Sequence, residues 1–157
     1  MSAVFDEPQQ RFEPMSASWL DTVLAVEQAS YTHPWTRRNF ADSLASGYQC
    51  QMLLDAQGAL LGYFVAMKGV DEVHLLNITV APDARGCGHG ITLLDALSLW
   101  SRRQGAQWLW LEVRQSNAHA LRVYERYGFR RVGLRKDYYP AARNAREHAV
   151  VMSRKLA

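Results

Sequence analysis

Arg85, Gly86, Cys87, Gly88, His89 and Gly90 set three glycines within five positions. Directly behind them comes an apolar run, Ile91, Leu93, Leu94, Leu97 and Trp100, at helical spacing. The first turn of a helix carries N–H groups without intrahelical partners and a partial positive charge, and glycines let a ligand come close to the backbone. A phosphate suits such a turn. So does a bare strand-to-helix connection whose glycines only satisfy positive φ. Two kinds of phosphate loop are excluded. No Lys-Ser or Lys-Thr follows the last glycine, and the glycine spacing and the lack of an acidic residue at the end of a following strand do not fit a dinucleotide fingerprint.

A second group with chemical potential lies downstream. In the run Trp108 to Val113, Trp108, Trp110 and Glu112 alternate with Leu109, Leu111 and Val113, so Glu112 stands at the carboxyl end of an otherwise apolar strand. Ligands of open α/β sheets bind at that edge. A carboxylate beside two tryptophans is expected to be partly desolvated and so more basic, as a general base for an ammonium group requires. The competing reading is a strand-end glutamate paired with Arg114 or with water. Asn117, Leu121 and Tyr124 follow at i, i+4 and i+7 on one helix face. A phenol there can protonate a leaving thiolate, or simply fill a core. Cys87 lies at a helix start, where thiol pKa values fall, but no base accompanies it and a nucleophilic role is not expected.

These groups need a scaffold. Val73 to Val80 reads as a central strand covered on both sides, and Pro82 and Asp83 end it. Ahead of it, residues 1–9 read as a tail and Arg11 to Met15 as a short first strand. A helix capped by Ser18 follows, with an apolar stripe at Leu20, Val23 and Leu24. Thr36 caps a second helix ending before Gly47, and Cys50 to Asp55 with Leu60 to Lys68 form a hairpin. Strand, glycine turn, helix and Trp108 to Val113 make a crossover unit, normally parallel. A helix capped at Ser116 or Asn117 and stopped at Gly128 follows. Leu134 to Tyr139 and Ala149 to Leu156 then close the sheet.

With 157 residues, nearly half of them apolar, the chain fits one domain over residues 10–157 and can bury about two thirds of its unfolded surface. No apolar run is long enough for a membrane span and none reads as a secretory leader, so no membrane partner and a cytoplasmic setting are expected. Cys50 and Cys87 are too few for a disulfide framework and lack neighbours at metal-ligand spacing; both are read as reduced thiols, with no metal. Charge is lopsided: residues 1–100 carry 5 basic and 11 acidic side chains, residues 101–157 carry 13 and 4. The arginines are scattered, which favours solvated faces over one RNA-binding patch, and direct RNA contact is not expected.

Val80 followed by Arg85-x-x-Gly88-x-Gly90 resembles the pyrophosphate signature of the GNAT superfamily of N-acetyltransferases. The runs Leu109 to Asn117 and Val123 to Phe129 resemble the RimI-like ribosomal-protein-alanine acetyltransferases of that superfamily. So do His33, Pro34, Trp35, Thr36 and Asp137, Tyr138, Tyr139, Pro140 with Arg146, Glu147. The resemblance implies an α/β GNAT fold, a mixed, V-splayed sheet of about six or seven strands flanked by about four helices. It implies acetyl-CoA as co-substrate, met by Ile78, Thr79, Val80, Arg85, Gly86, Cys87, Gly88, His89, Gly90 and Asn117. It further implies Glu112 as base, Tyr124 as acid, and Trp35, Tyr138 and Tyr139 against the acceptor. The implied acceptor is the N-terminal alanine of the eighteenth small-subunit ribosomal protein. Ala145 and His148 depart from the usual Gly and Asp of that branch. Other amines (a protein lysine, a polyamine, a drug), a non-catalytic acyl-CoA sensor and a nucleic-acid-binding module stay open as alternatives.

Overall fold

The computed structural model describes residues 10–156. The expected tail over residues 1–9 lies outside them. Seven strands form one mixed sheet, β1 (Gln10–Pro14), β2 (Gln49–Asp55), β3 (Leu60–Lys68), β4 (Glu72–Val80), β5 (Trp108–Arg114), β6 (Arg130–Pro140) and β7 (Arg146–Lys155). Their hydrogen-bonded order is β1-β2-β3-β4-β5-β7-β6. Among the described residues there are four α-helices, α1 (Leu20–Ser30), α2 (Arg37–Ala45), α3 (His89–Arg103) and α4 (Ala118–Tyr127). β4 is the middle strand, as its two-sided apolar pattern requires. It pairs parallel with β5, His74 opposite Trp110 and Leu75 opposite Leu111, and α3 supplies the crossover. β7 inserts between β5 and β6 and is antiparallel to both.

The chain falls into two compact units. One takes the chain through Val65 together with Ile78–Leu93, the other Ala66–Asn77 together with the chain from Leu94 onward. The first is built on Leu20, Val23, Phe40, Met52, Leu54, Tyr63 and Phe64, all buried. Its second helix, α2, starts in a capping box: the Thr36 hydroxyl accepts the Asn39 N–H while the Asn39 side chain accepts the Thr36 N–H. In the other unit, the alternation of β5 sends Leu109, Leu111 and Val113 into a core with Leu97, Leu121, Phe129, Val150 and Met152. Gly128 ends α4 in a left-handed conformation, φ 109°, and Phe129 folds back so that its N–H reaches the Tyr124 carbonyl.

Two sequence expectations need correction. Ser18 does not cap α1; a 3-10 turn, Ala17–Trp19, precedes the helix, Trp19 occupies the cap, and the Ser18 hydroxyl pairs with that of Ser16. Of the two caps offered for α4, Asn117 serves, its Oδ1 accepting the Ala120 N–H, while the Ser116 N–H donates to Glu147. β6 does not begin after Gly133. It starts at Arg130, and the glycine sits inside the strand at a register shift against β7, so a residue read as punctuation belongs to a bulge.

Candidate functional site

In the first unit, β4 ends at Ile78, Thr79 and Val80, a single 3-10 turn, Pro82–Ala84, redirects the chain, and Arg85 to Gly88 lead into α3. Gly86 and Gly88 have φ of 81° and 83°, where an L side chain is strained, and a Cβ built on either would meet nothing within 4 Å. Backbone conformation demands these glycines, and the space beside them is open. Gly90 differs: a Cβ there would touch only the Val80 side chain at 3.9 Å, an ordinary contact. Thr92 N–H donates to the Gly88 carbonyl at 3.2 Å, so the N–H groups of His89, Gly90 and Ile91 lie ahead of the helical ladder. Arg85 and Cys87 are exposed. An exposed guanidinium, an open glycine turn and free helix donors fit a pyrophosphate. Among the described residues no group of His, Cys, Asp and Glu could hold a metal ion.

The same unit contains polar groups that the sequence reading missed. Tyr31 Oη lies 2.7 Å from Thr79 Oγ1 and donates to the Ile78 carbonyl at 3.1 Å. Desolvation pushes its phenol above the ordinary range. Glu27, on the helical stripe of Leu20 and Val23, is buried; its carboxylate accepts the Tyr63 hydroxyl at 2.5 Å and the Trp35 N–H at 2.9 Å. Trp35 is half-buried, its ring 5.1 Å from Phe40. A charged residue at stripe position i+7 was the one signal in the sequence that could have exposed Glu27.

In the second unit, Glu112 is not an isolated carboxylate between indoles. Its side chain is 7% exposed, Oε2 is hydrogen-bonded to His74 Nε2 from β4, and Oε1 lies 3.3 Å from Arg135 Nε on β6. Arg114, the partner that the strand sequence suggests, is engaged elsewhere: it reaches the Pro140 carbonyl at 2.9 Å and Glu147 Oε1 at 3.1 Å, and it stacks over Tyr139. The Ser116 hydroxyl, with the Arg114 guanidinium and the Ser116 N–H, holds the Glu147 carboxyl below its usual range. Asn117 Oδ1 is spent on the helix cap, which leaves its NH2 group to meet a ligand. Tyr124 is half-buried on the α4 face and packs edge-on to Phe129 at 5.8 Å. Tyr138 and Tyr139 meet edge to face at 4.9 Å; Tyr138 is exposed, and burial raises the Tyr139 phenol well above the ordinary range, so it stays neutral. His148 Nδ1 accepts the Asp137 N–H at 3.0 Å, and Asp137 has φ 54°, so the His148 departure coincides with a strained strand residue.

A mixed sheet whose middle strand ends at an open glycine turn and a helix start suits a phosphate-bearing co-substrate. Residues 18–129 match the model of the acetyltransferase (GNAT) family, and the chain belongs to that family. Over 128 residues it is 37% identical to the ribosomal protein bS18-alanine N-acetyltransferase of Haemophilus influenzae, covering 82% of this chain and 86% of that one. The enzyme of the same name from Escherichia coli K12 is 35% identical over 128 residues, 82% of this chain and 85% of its own. The crystal structure of the ribosomal-protein-S18-alanine N-acetyltransferase from Escherichia coli superposes with a TM-score of 0.86 at 31% identity, covering 94% of each chain. The GNAT assignment, the seven-stranded mixed sheet and the four helices all agree with the sequence expectations. No helix among the described residues is long and apolar enough to cross a membrane.

Proposed function

We propose that this enzyme transfers the acetyl group of acetyl-CoA to the α-amine of the N-terminal alanine of the eighteenth small-subunit ribosomal protein, a cytoplasmic acceptor, by direct attack in a ternary complex. The relatives' shared activity supports the acceptor. The observation that carries the chemistry is the buried Glu112 carboxylate, held from two strands at the end of β5. The Arg85 to Gly90 turn binds the pyrophosphate, and Gly90 supports this, because nothing in the protein's own packing requires a glycine there. Backbone groups of Ile78, Thr79 and Val80 align the pantetheine arm like an added strand, and an N–H near Val80 polarises the thioester carbonyl. Cys87 and His89 serve by their backbone, Asn117 by its amide, and Trp35, Tyr138 and Tyr139 face the acceptor peptide.

Glu112 removes a proton from the α-ammonium, through water, and the freed amine attacks the thioester carbon. As the carbon–sulfur bond breaks, Tyr124 gives its proton to the thiolate and regains one from the new amide nitrogen. Glu112→Gln is expected to lower kcat about 10²- to 10⁴-fold. Full turnover of that variant at neutral pH would reject the proposed base. The acceptor is tested by incubating the ribosomal protein with enzyme and acetyl-CoA and measuring its mass. One added acetyl on the N-terminal residue is expected. An unchanged mass, with a lysine-bearing peptide or a polyamine acetylated instead, would move the assignment to another amine.

A further inference from the structure

A buried carboxylate is costly to keep, and well-packed apolar residues usually stabilise a core as much or more. Glu27 is 2% exposed in the last turn of α1, so its charge calls for a reason beyond packing. Both of its oxygens are committed. Oε1 accepts from the Tyr63 hydroxyl at 2.5 Å, and Oε2 accepts from the backbone N–H of Trp35 at 2.9 Å. Tyr63 is fully buried on β3, and its desolvated phenol stays a proton donor across the working pH range. The Trp35 ring packs on Phe40 at 5.1 Å, and Phe40 packs on Tyr63 at 5.8 Å. The irregular segment between α1 and α2 is therefore gripped through both the backbone and the side chain of one tryptophan. At its other end the Tyr31 hydroxyl is fastened to Thr79 and to the Ile78 carbonyl.

We infer that Glu27 is a positioning residue for the acceptor: with Tyr63 as a buried post, it fixes the backbone of Trp35 so that the indole presents one orientation to the incoming peptide. This rests on the reading of Trp35 as an acceptor contact. Glu27 touches neither substrate, so its effect belongs to acceptor KM, while acetyl-CoA binds through the β4 end and the glycine turn.

The test compares steady-state KM values for an alanine-started acceptor peptide and for acetyl-CoA in four variants. Trp35→Ala is expected to raise acceptor KM. Glu27→Ala leaves the Trp35 N–H and the Tyr63 hydroxyl without their charged partner, and is expected to raise acceptor KM about tenfold or more with acetyl-CoA KM within about twofold. Glu27→Gln can accept the Trp35 N–H with its oxygen and donate its NH2 to the Tyr63 oxygen; it is expected to stay within about threefold of the parent. Tyr63→Phe keeps the ring and removes one of the two bonds, and a smaller rise confined to acceptor KM is expected; it serves as the deciding variant should Glu27→Ala not fold. If Trp35→Ala raises acceptor KM while Glu27→Ala or Tyr63→Phe leaves it unmoved, the inference is overturned and the acceptor reading stands. If Trp35→Ala leaves acceptor KM unmoved, the acceptor reading fails and this inference fails with it.

Discussion

Glu112 has His74 on one oxygen and Arg135 on the other. An ordinary strand-end glutamate would turn to water, so the two contacts argue that the carboxylate is being aimed. His74 Nε2 must carry its proton to donate to Oε2, and a side-chain amide can supply the same N–H. His74→Ala is therefore expected to lower kcat about tenfold or more with acetyl-CoA KM unchanged, and His74→Gln to restore most of it. A glutamine variant as impaired as the alanine would show that the imidazole does more than hold the base. Glu112 itself was legible, because strand alternation marks it. His74 was not, since only the parallel register of β4 on β5 puts it on the face of Trp110 and Glu112. Glu147 yields a prediction about acid stability. Its folded-state pKa is depressed, chiefly by the Ser116 hydroxyl, so its contribution is present above the ordinary carboxylate value of 4.5 and is lost as pH falls through the depressed one. Glu147→Gln should flatten the acid limb of the stability curve below about pH 4.5, measured by urea unfolding across pH, and leave the slope at neutral pH unchanged.

Among the elements, the glycine turn and the strand beside it carry different kinds of demand. Gly86 and Gly88 are set by φ in open space, whereas Gly62 on β3 is set by crowding: a Cβ there would lie 2.6 Å from the Thr79 carbonyl oxygen and 3.3 Å from the Val80 Cα. β3 thus runs close under the β4 residues proposed to align the thioester. Gly62→Ala must push that strand aside, at a cost of about 1–3 kcal/mol. It should also raise acetyl-CoA KM, and a variant with lower thermal stability but parental KM would show that the backbone of Ile78 to Val80 does not set cofactor alignment. The motif of Arg85 to Gly90 could be read from sequence because positive φ and helix starts have residue signatures. The Gly62 contact could not, because it depends on which strands are neighbours. The two cysteines separate the turn from the core. Burial pushes the Cys50 thiol up to about 11, leaving about one thiolate in a thousand at pH 8, while Cys87 is exposed in the turn. A thiol reagent in native conditions should modify one cysteine, Cys87, and saturating acetyl-CoA should slow that reaction; equal rates with and without the ligand would place the diphosphate elsewhere.

For the whole molecule, alternation and spacing gave each strand's existence, yet no pattern along the chain gives the order β5-β7-β6, in which the last strand slips between two earlier ones. That insertion is what places Val151 opposite Glu112 and Val151 opposite Gly133, so β7 joins the strand of the proposed base to the bulged strand carrying Tyr138 and Tyr139. The division into two compact units cuts through β3 and β4, and neither unit is one continuous stretch of chain. We expect them to unfold as one domain, since separating them would require breaking strands in mid-course. Calorimetry can test this together with the binding proposal. Acetyl-CoA at about 100 times its Kd should add about 2.7 kcal/mol to the folded state. For a chain of this length that is about 5–10 °C in Tm. One transition, displaced whole by the ligand, is the expected trace. Two transitions of which the ligand moves only one would mean that the glycine turn and the Glu112 strand belong to separately folding parts, and the single-domain proposal would fall while binding survived. A single transition that the ligand leaves in place would do the reverse, because a diphosphate held at the start of α3 cannot fail to stabilise the state that presents it.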